Sequence, residues 1–357
     1  MKIVTARFCL FLLVSFCGAA ATPNPALLIL NKRDTTLAIV DPATLQTVGK
    51  VPSGPDPHEV VASADGKLAY ISNYGGGGDS FHTISVVDLV AQKALTPIDL
   101  GALHGAHGLA FEGGKLYFTA EANRVIGRYD PATQKIDWIF GVGQNRTHMV
   151  LVRKGGEQIF TSNVNSGTIS IIEKRVNANN FGPPPGPPGG GPRANGPGGP
   201  PPFPPSRTSW DEVSIQVGEG TEGFDVSPDG NEVWGADAHN GTLSIVDAAS
   251  EKLKQTLDAH VDGANRLKFT LEGKYVFVSS LSTGDLAIFD AASRKEIKRL
   301  SLGHGAAGIL MRPDGTTAYV ACSADNKVDV IDLKTLTVSG DIRSGTEPDG
   351  LAWAVEK

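Results

Sequence analysis

The chain has 357 residues, 40% hydrophobic and 20% charged, with 43 Gly, 23 Pro and a formal net charge of -6. Apolar content at that level supports a substantial core and excludes both a disordered chain and a polytopic membrane protein. No Lys/Arg run is longer than Lys174-Arg175, so a dedicated nucleic-acid surface is not expected.

The first predicted element is an export signal. Lys2 and Arg7 precede an apolar stretch over 8–16, followed by Gly18-Ala19-Ala20-Ala21 before Thr22-Pro23. Charged, apolar and small-residue regions in that order predict a signal peptide over 1–21 and a mature chain that is periplasmic or extracellular. The apolar run is shorter than the ~20 residues a membrane-spanning helix needs, so no stable span is expected once the signal is removed. Its removal takes Cys9 and Cys17 and leaves only Cys322, which excludes an intrachain disulfide.

From there the chain repeats itself. Two strand formers and an acid recur as Ile39-Val40-Asp41, Val86-Val87-Asp88, Arg128-Tyr129-Asp130, Ile171-Ile172-Glu173, Ile245-Val246-Asp247, Ile288-Phe289-Asp290 and Val330-Ile331-Asp332. The intervals are 47, 42, 43, 74, 43 and 42 residues. Upstream of six of these units stands a Gly-containing turn, at Gly66, Gly113-Gly114, Gly155-Gly156, Gly230, Gly273 and Gly315. Short strands at this period predict an all-β, seven-bladed β-propeller with four-stranded blades. The stretch Pro348-Asp349-Gly350-Leu351-Ala352-Trp353 reads as an inner strand without a successor, and Ala26-Leu27-Leu28-Ile29-Leu30 as a second strand without a predecessor. Pairing the C-terminal strand into the N-terminal blade closes the ring and removes the open edge. Residues 22–357 therefore form one domain, expected to be monomeric.

The 74-residue interval holds one blade and an excess over 176–207, of which 182–205 carries 12 Pro and 8 Gly. Such a composition cannot form ladders, so 176–207 is predicted to be a disordered insertion on the outer rim of one blade, between its third and fourth strands. The Gly-rich run after Asn73-Tyr74 is longer than its equivalents and is expected to cover one mouth of the central channel.

The unit Ala318-Tyr319-Val320-Ala321-Cys322, continued by Asn326-Lys327-Val328-Asp329-Val330-Ile331-Asp332, resembles the bacterial YVTN-type propeller repeat, over essentially the whole mature chain. Asn73-Tyr74-Gly75-Gly76-Gly77 resembles a segment of the seven-bladed lactonases of the 6-phosphogluconolactonase type. That second resemblance implies His107 or His148 as base and Arg146 and Arg266 as clamps for a carboxylate, with Glu222 standing in as acid or ligand. Two departures stand against it: Val164 occupies the place of an expected acidic residue, and the histidines are spaced as His104-x-x-His107.

Aligning the inner strands gives one equivalent position per blade: His58, His107, His148, Glu222, Asn265, Ala307 and Asp349. Six of the seven are polar beside apolar neighbours, so the position is predicted to face the channel mouth. A second set, Asn73, Glu121, Asn163, Asp237, Ser280 and Cys322, falls 14 or 15 residues after the first, with Asn31 its member across the ring closure, and is expected beside it. His58, His107, His148 and Glu222 suit a divalent, zinc-like metal. His104, Asn73, Glu121, Asn163, Asp237, Asn265 and Asp349 are the further candidates for contacts to a ligand. Three readings follow: binding of a small molecule, metal or envelope protein at the mouth; a lactonase-like hydrolase or lyase using the same residues; and a non-catalytic interaction scaffold.

Overall fold

The computed structural model describes residues 20–75, 80–178 and 206–356. The expected signal peptide, apart from its last residues, lies outside them, as do 76–79 of the Gly-rich loop and 179–205 of the insertion.

Seven antiparallel sheets succeed one another around a ring. Blade 1 joins the C-terminal strand Pro348–Ala354 to Ala26–Asn31, Thr36–Asp41 and Gln46–Pro52. The closure pairs Ala26 with Ala354 through Ile29 with Leu351 and, after a one-residue shift, Asn31 with Pro348; the sequence predicts this pairing of the two terminal strands. Blades 2 to 7 start at the inner strands Pro57–Ala62, Ala106–Glu112, Thr147–Val152, Thr221–Val226, Ala264–Phe269 and Ala306–Met311. In blade 2 the outermost strand is broken into Lys93–Ala94 and Ile98–Asp99 around Pro97, whose ring nitrogen cannot donate to a ladder.

The core lies between blades, so a blade is apolar on both faces. On Ala26–Asn31, Leu28 and Leu30 pack toward blade 2 with Val60, Ile71 and Val87. Leu27 and Ile29 pack toward blade 7 with Tyr319, Val328 and Ile342. This explains why second and third strands such as Ala26–Asn31 and Thr36–Asp41 carry continuous apolar runs, whereas the outer strand Lys135–Gly141 alternates buried and exposed residues. The recurring acid also acquires a reason. Asp41, Asp88, Asp130, Asp247, Asp290 and Asp332 accept backbone N–H groups two or three residues ahead and so build the turn into the fourth strand. Glu173 in blade 4 departs because no turn follows it.

There Thr168–Ala178 and Ser206–Gln216 stay paired as far as Ala178 opposite Ser206. The insertion expected over 176–207 is thereby corrected: Val176, Asn177, Ala178, Ser206 and Arg207 belong to the ladder. The hairpin outlasts its neighbours because Lys174 and Trp210, Val176 and Thr208 continue the cross-strand pairing that a Pro-rich sequence alone would deny.

Candidate functional site

Every inner strand carries a one-residue β-bulge at the same place. In blade 2, Pro57 opposes Asn73 and Val60 opposes Ile71, so His58 and Glu59 share one partner residue. The same offset brackets His107-Gly108, His148-Met149, Glu222-Gly223, Asn265-Arg266, Ala307-Gly308 and Asp349-Gly350. A bulge bends the strand and re-aims its side chains. The first bulged residue of each blade consequently faces the channel, and all seven line one cavity of about 460 Å³. At the second bulged position glycine is a packing requirement: a Cβ on Gly108 would lie 2.5 Å from the carbonyl oxygen of His148, and one on Gly223 2.4 Å from that of Asn265. Hydroxyls lock neighbouring blades at this level, with Thr119 donating to the His148 carbonyl at 2.8 Å and Ser162 to that of Glu222 at 2.6 Å.

Two hydrogen-bonded chains meet in the cavity. In the first, His148 donates from Nδ1 to Glu121 Oε1 and from Nε2 to Glu222 Oε1, the latter at 3.2 Å. Glu222 Oε1 also accepts from Asn265 Nδ2 at 2.9 Å and from Arg266 Nη1 at 3.3 Å. Arg266 reaches on to Glu59 in blade 2, Nη2 to Oε1 at 2.7 Å. Tyr74 donates to Glu121 Oε2 at 2.7 Å, and Arg146 Nε stands 3.8 Å from the same oxygen. In the second chain His107 Nε2 lies 3.2 Å from His58 Nδ1, and His58 Nε2 3.2 Å from Asp56 Oδ1. Asp349 Oδ2 is 3.8 Å from His58 Nδ1 and 3.5 Å from Lys32 Nζ. The chains touch where the rings of His107 and His148 stack, centroids 3.6 Å apart at 29°.

Their surroundings drive these two imidazoles apart in charge. Burial depresses the pKa of His107 well below the ordinary histidine value, and the nearby charges of His148, His58, Arg266 and Arg146 add to the effect, so it is neutral. Burial would lower His148 too, but the hydrogen bonds to Glu121 and Glu222 on both nitrogens, with their negative charges, outweigh it and raise the pKa. Burial likewise opposes ionisation of Glu222, yet His148 and Arg266 hold it well below the usual carboxylate range. Arg266 is raised despite burial by the charges of Glu59, Asp349 and Glu222. Tyr74, desolvated and donating to Glu121, is pushed up to about 12.

Of the predicted residues, His58, His107, Arg146, His148, Glu222, Asn265, Arg266 and Asp349 line the cavity, and Glu121 joins through His148. Asn73, Asn163 and Asp237 do not, which corrects the second ring. Asn73 donates to the carbonyls of Ser53 and Pro55. Asn163 donates to Thr168 and Ser170, and Asp237 accepts from Thr221, Thr242 and Ser244. Each opposes the residue before the bulge (Pro57, Thr147, Thr221), so its side chain shares that residue's face and not the next one's. Glu121 escapes because Ala120 occupies its blade's equivalent place, opposite Ala106, and Glu121 lies one residue beyond. His104 is also corrected: its Nδ1 contacts the Ser80 carbonyl at 3.0 Å and its ring lies beside His82, away from the cavity.

The predicted metal set is not assembled. Among the described residues no group of three or more His, Cys, Asp or Glu is placed to hold an ion. Both nitrogens of His148 are engaged by carboxylates, and His107 presents a stacked ring face to it.

Asp56, Glu59, Tyr74, Lys32 and Glu347 belong to the site and were not anticipated. A signal for Glu59 and Arg266 did exist: the position after the ring residue is Gly in four blades, and these two are the charged exceptions.

No family profile matches the sequence and no curated protein of related sequence was found. Solved structures match in fold. A protein of unknown function from Desulfotomaculum acetoxidans superposes with a TM-score of 0.70 at 12% identity, covering 94% of this chain and 100% of that one. A candidate 6-phosphogluconolactonase from Bacteroides uniformis gives 0.66 at 16%, covering 92% and 99%. Hydrazine synthase from Kuenenia stuttgartiensis gives 0.61 at 16%, covering 83% and 89%.

Proposed function

We propose that the protein is an exported, monomeric propeller that binds a small polar molecule in the mouth of its channel. The observation that carries this is the convergence of all seven bulged ring positions, six of them polar, on a single cavity of about 460 Å³. Volume and polarity suit a small ligand fixed by a few directed groups. Arg146 and Lys32 stand ready for an anionic group, and Asn265, Glu222 and Asp349 for hydroxyls. Calorimetric titration of a panel of small hydroxy acids and their lactones tests it. Binding is expected to weaken at least tenfold in Arg146→Ala, and a panel without binders sinks the reading for this ligand class. The mass of the mature N-terminus tests export: cleavage after about residue 21 is expected.

The stacked His107 and His148 favour a second reading, enzymatic, on the same ligand. A neutral and a protonated imidazole in one cavity are a base and an acid set side by side. The chemistry that suits them is hydrolysis or elimination at a lactone or hydroxy acid, and the fold likeness to a candidate 6-phosphogluconolactonase is in keeping with it. Lactone turnover lost in both His107→Ala and His148→Ala is the expected result; equal rates refute it.

A further inference from the structure

The second hydrogen-bonded chain leads to an inference that rests on the enzymatic reading. We propose that Asp56, acting through His58, is a positioning residue that fixes the tautomer of His107, with the proton on Nε2 and a lone pair on Nδ1.

The assignment follows from hydrogen-bond accounting. Asp56 is held on both oxygens, Oδ2 accepting from the Gly75 backbone N–H at 2.9 Å and Oδ1 facing His58 Nε2 at 3.2 Å. A carboxylate only accepts, so His58 carries its proton on Nε2. In the neutral ring His58 Nδ1 is then bare and must accept from His107 Nε2, 3.2 Å away. His107 is thereby protonated on Nε2, and its Nδ1, buried and without a partner, is a lone pair. The opposite arrangement fails twice. It sets a bare His58 nitrogen against the Asp56 carboxylate, and it buries an N–H at His107 Nδ1 with nothing to accept it. Charging His58 on both nitrogens produces the same orphan donor on His107.

Nitrogen-15 imidazole NMR on the full mature chain tests the proposal, with His58 and His107 assigned by single substitutions. Wild type is expected to show His107 with a bare Nδ1 and a protonated Nε2. Asp56→Gly is expected to leave both rings in mixed tautomers, with a lactone kcat at least tenfold lower at little-changed KM. Asp56→Asn, which keeps an acceptor for His58, should restore the tautomer. Should Asp56→Gly not fold, Asp56→Ala is read by the same spectrum. A protonated His107 Nδ1 in wild type, or tautomers unmoved by loss of the carboxylate, overturns the proposal. Absence of lactone turnover in wild type refutes the enzymatic reading instead, and the tautomer measurement separates the two.

Discussion

Arg266 spans the channel, and replacing it with methionine isolates what its charge contributes. Its side chain is 8% exposed, and those of its partners Glu59 and Glu222 are 15% and 18% exposed. Methionine keeps much of the aliphatic stem but leaves two buried carboxylates without their shared cation. Removing one member of a buried pair costs about 3–5 kcal/mol, because the remaining charge stays desolvated and uncompensated. At about 2 °C per kcal/mol for a chain of this size, the melting temperature at pH 7 should fall by roughly 6–10 °C. The pH dependence supplies the control. In wild type the folded pKa of Glu222 lies below its unfolded value. Its stabilisation is therefore complete above the unfolded value, about 4.3, and is lost as pH falls toward the folded pKa. In Arg266→Met that depression is only partly relieved, because the hydrogen bond and charge of His148 remain, so the gap between the two proteins should begin to narrow once pH falls below about 4.3. Thermal and urea unfolding at pH 7, 5, 4 and 3 measure both effects. A loss under ~1 kcal/mol at pH 7, or a gap that does not narrow on acidification, would show that Arg266 does not neutralise these carboxylates.

His148 has the opposite sign. Its folded pKa is raised, so its contribution is full below the unfolded value near 6.5 and fades as pH rises through the folded pKa; Glu121→Gln should bring its NMR titration down toward ordinary histidine. Gly223→Ala should prevent normal assembly of blades 5 and 6, because its Cβ meets the Asn265 carbonyl oxygen, a backbone atom, at 2.4 Å; soluble yield and unfolding report this, and wild-type stability would contradict the packing account. Cys322 is buried beside Asp329 and its thiol is pushed up to about 12, chiefly by burial, so a thiol reagent should label it only after denaturation. Truncation before Pro348 removes the strand that pairs with Ala26–Asn31, and should abolish cooperative unfolding rather than shift its midpoint.

The ring positions were legible because each blade supplies an independent copy of the same local problem. His58, His107 and His148 stand out when they are aligned, and so does the closure of Pro348–Ala354 on Ala26–Asn31. The same alignment failed for Asn73, Asn163 and Asp237. A spacing of 14 or 15 residues identifies the end of a strand but not which face its side chain takes, and one residue of offset at the bulge reverses that face. It also put Glu121 in the set one place beyond its true equivalent, Ala120, and that displacement is what lets Glu121 reach His148.

By itself, then, the sequence determined the architecture: period, turn glycines and apolar runs are local features, repeated seven times, and local features write directly into sequence. The pairings inside the mouth were decided only by the tertiary structure. Arg266 meets Glu59 across 207 residues of chain, and His148 meets Glu222 across 74. Charge and protonation there depend on which groups share a desolvated space, and that sharing arises only when the ring closes and seven strands deliver their bulges to one point.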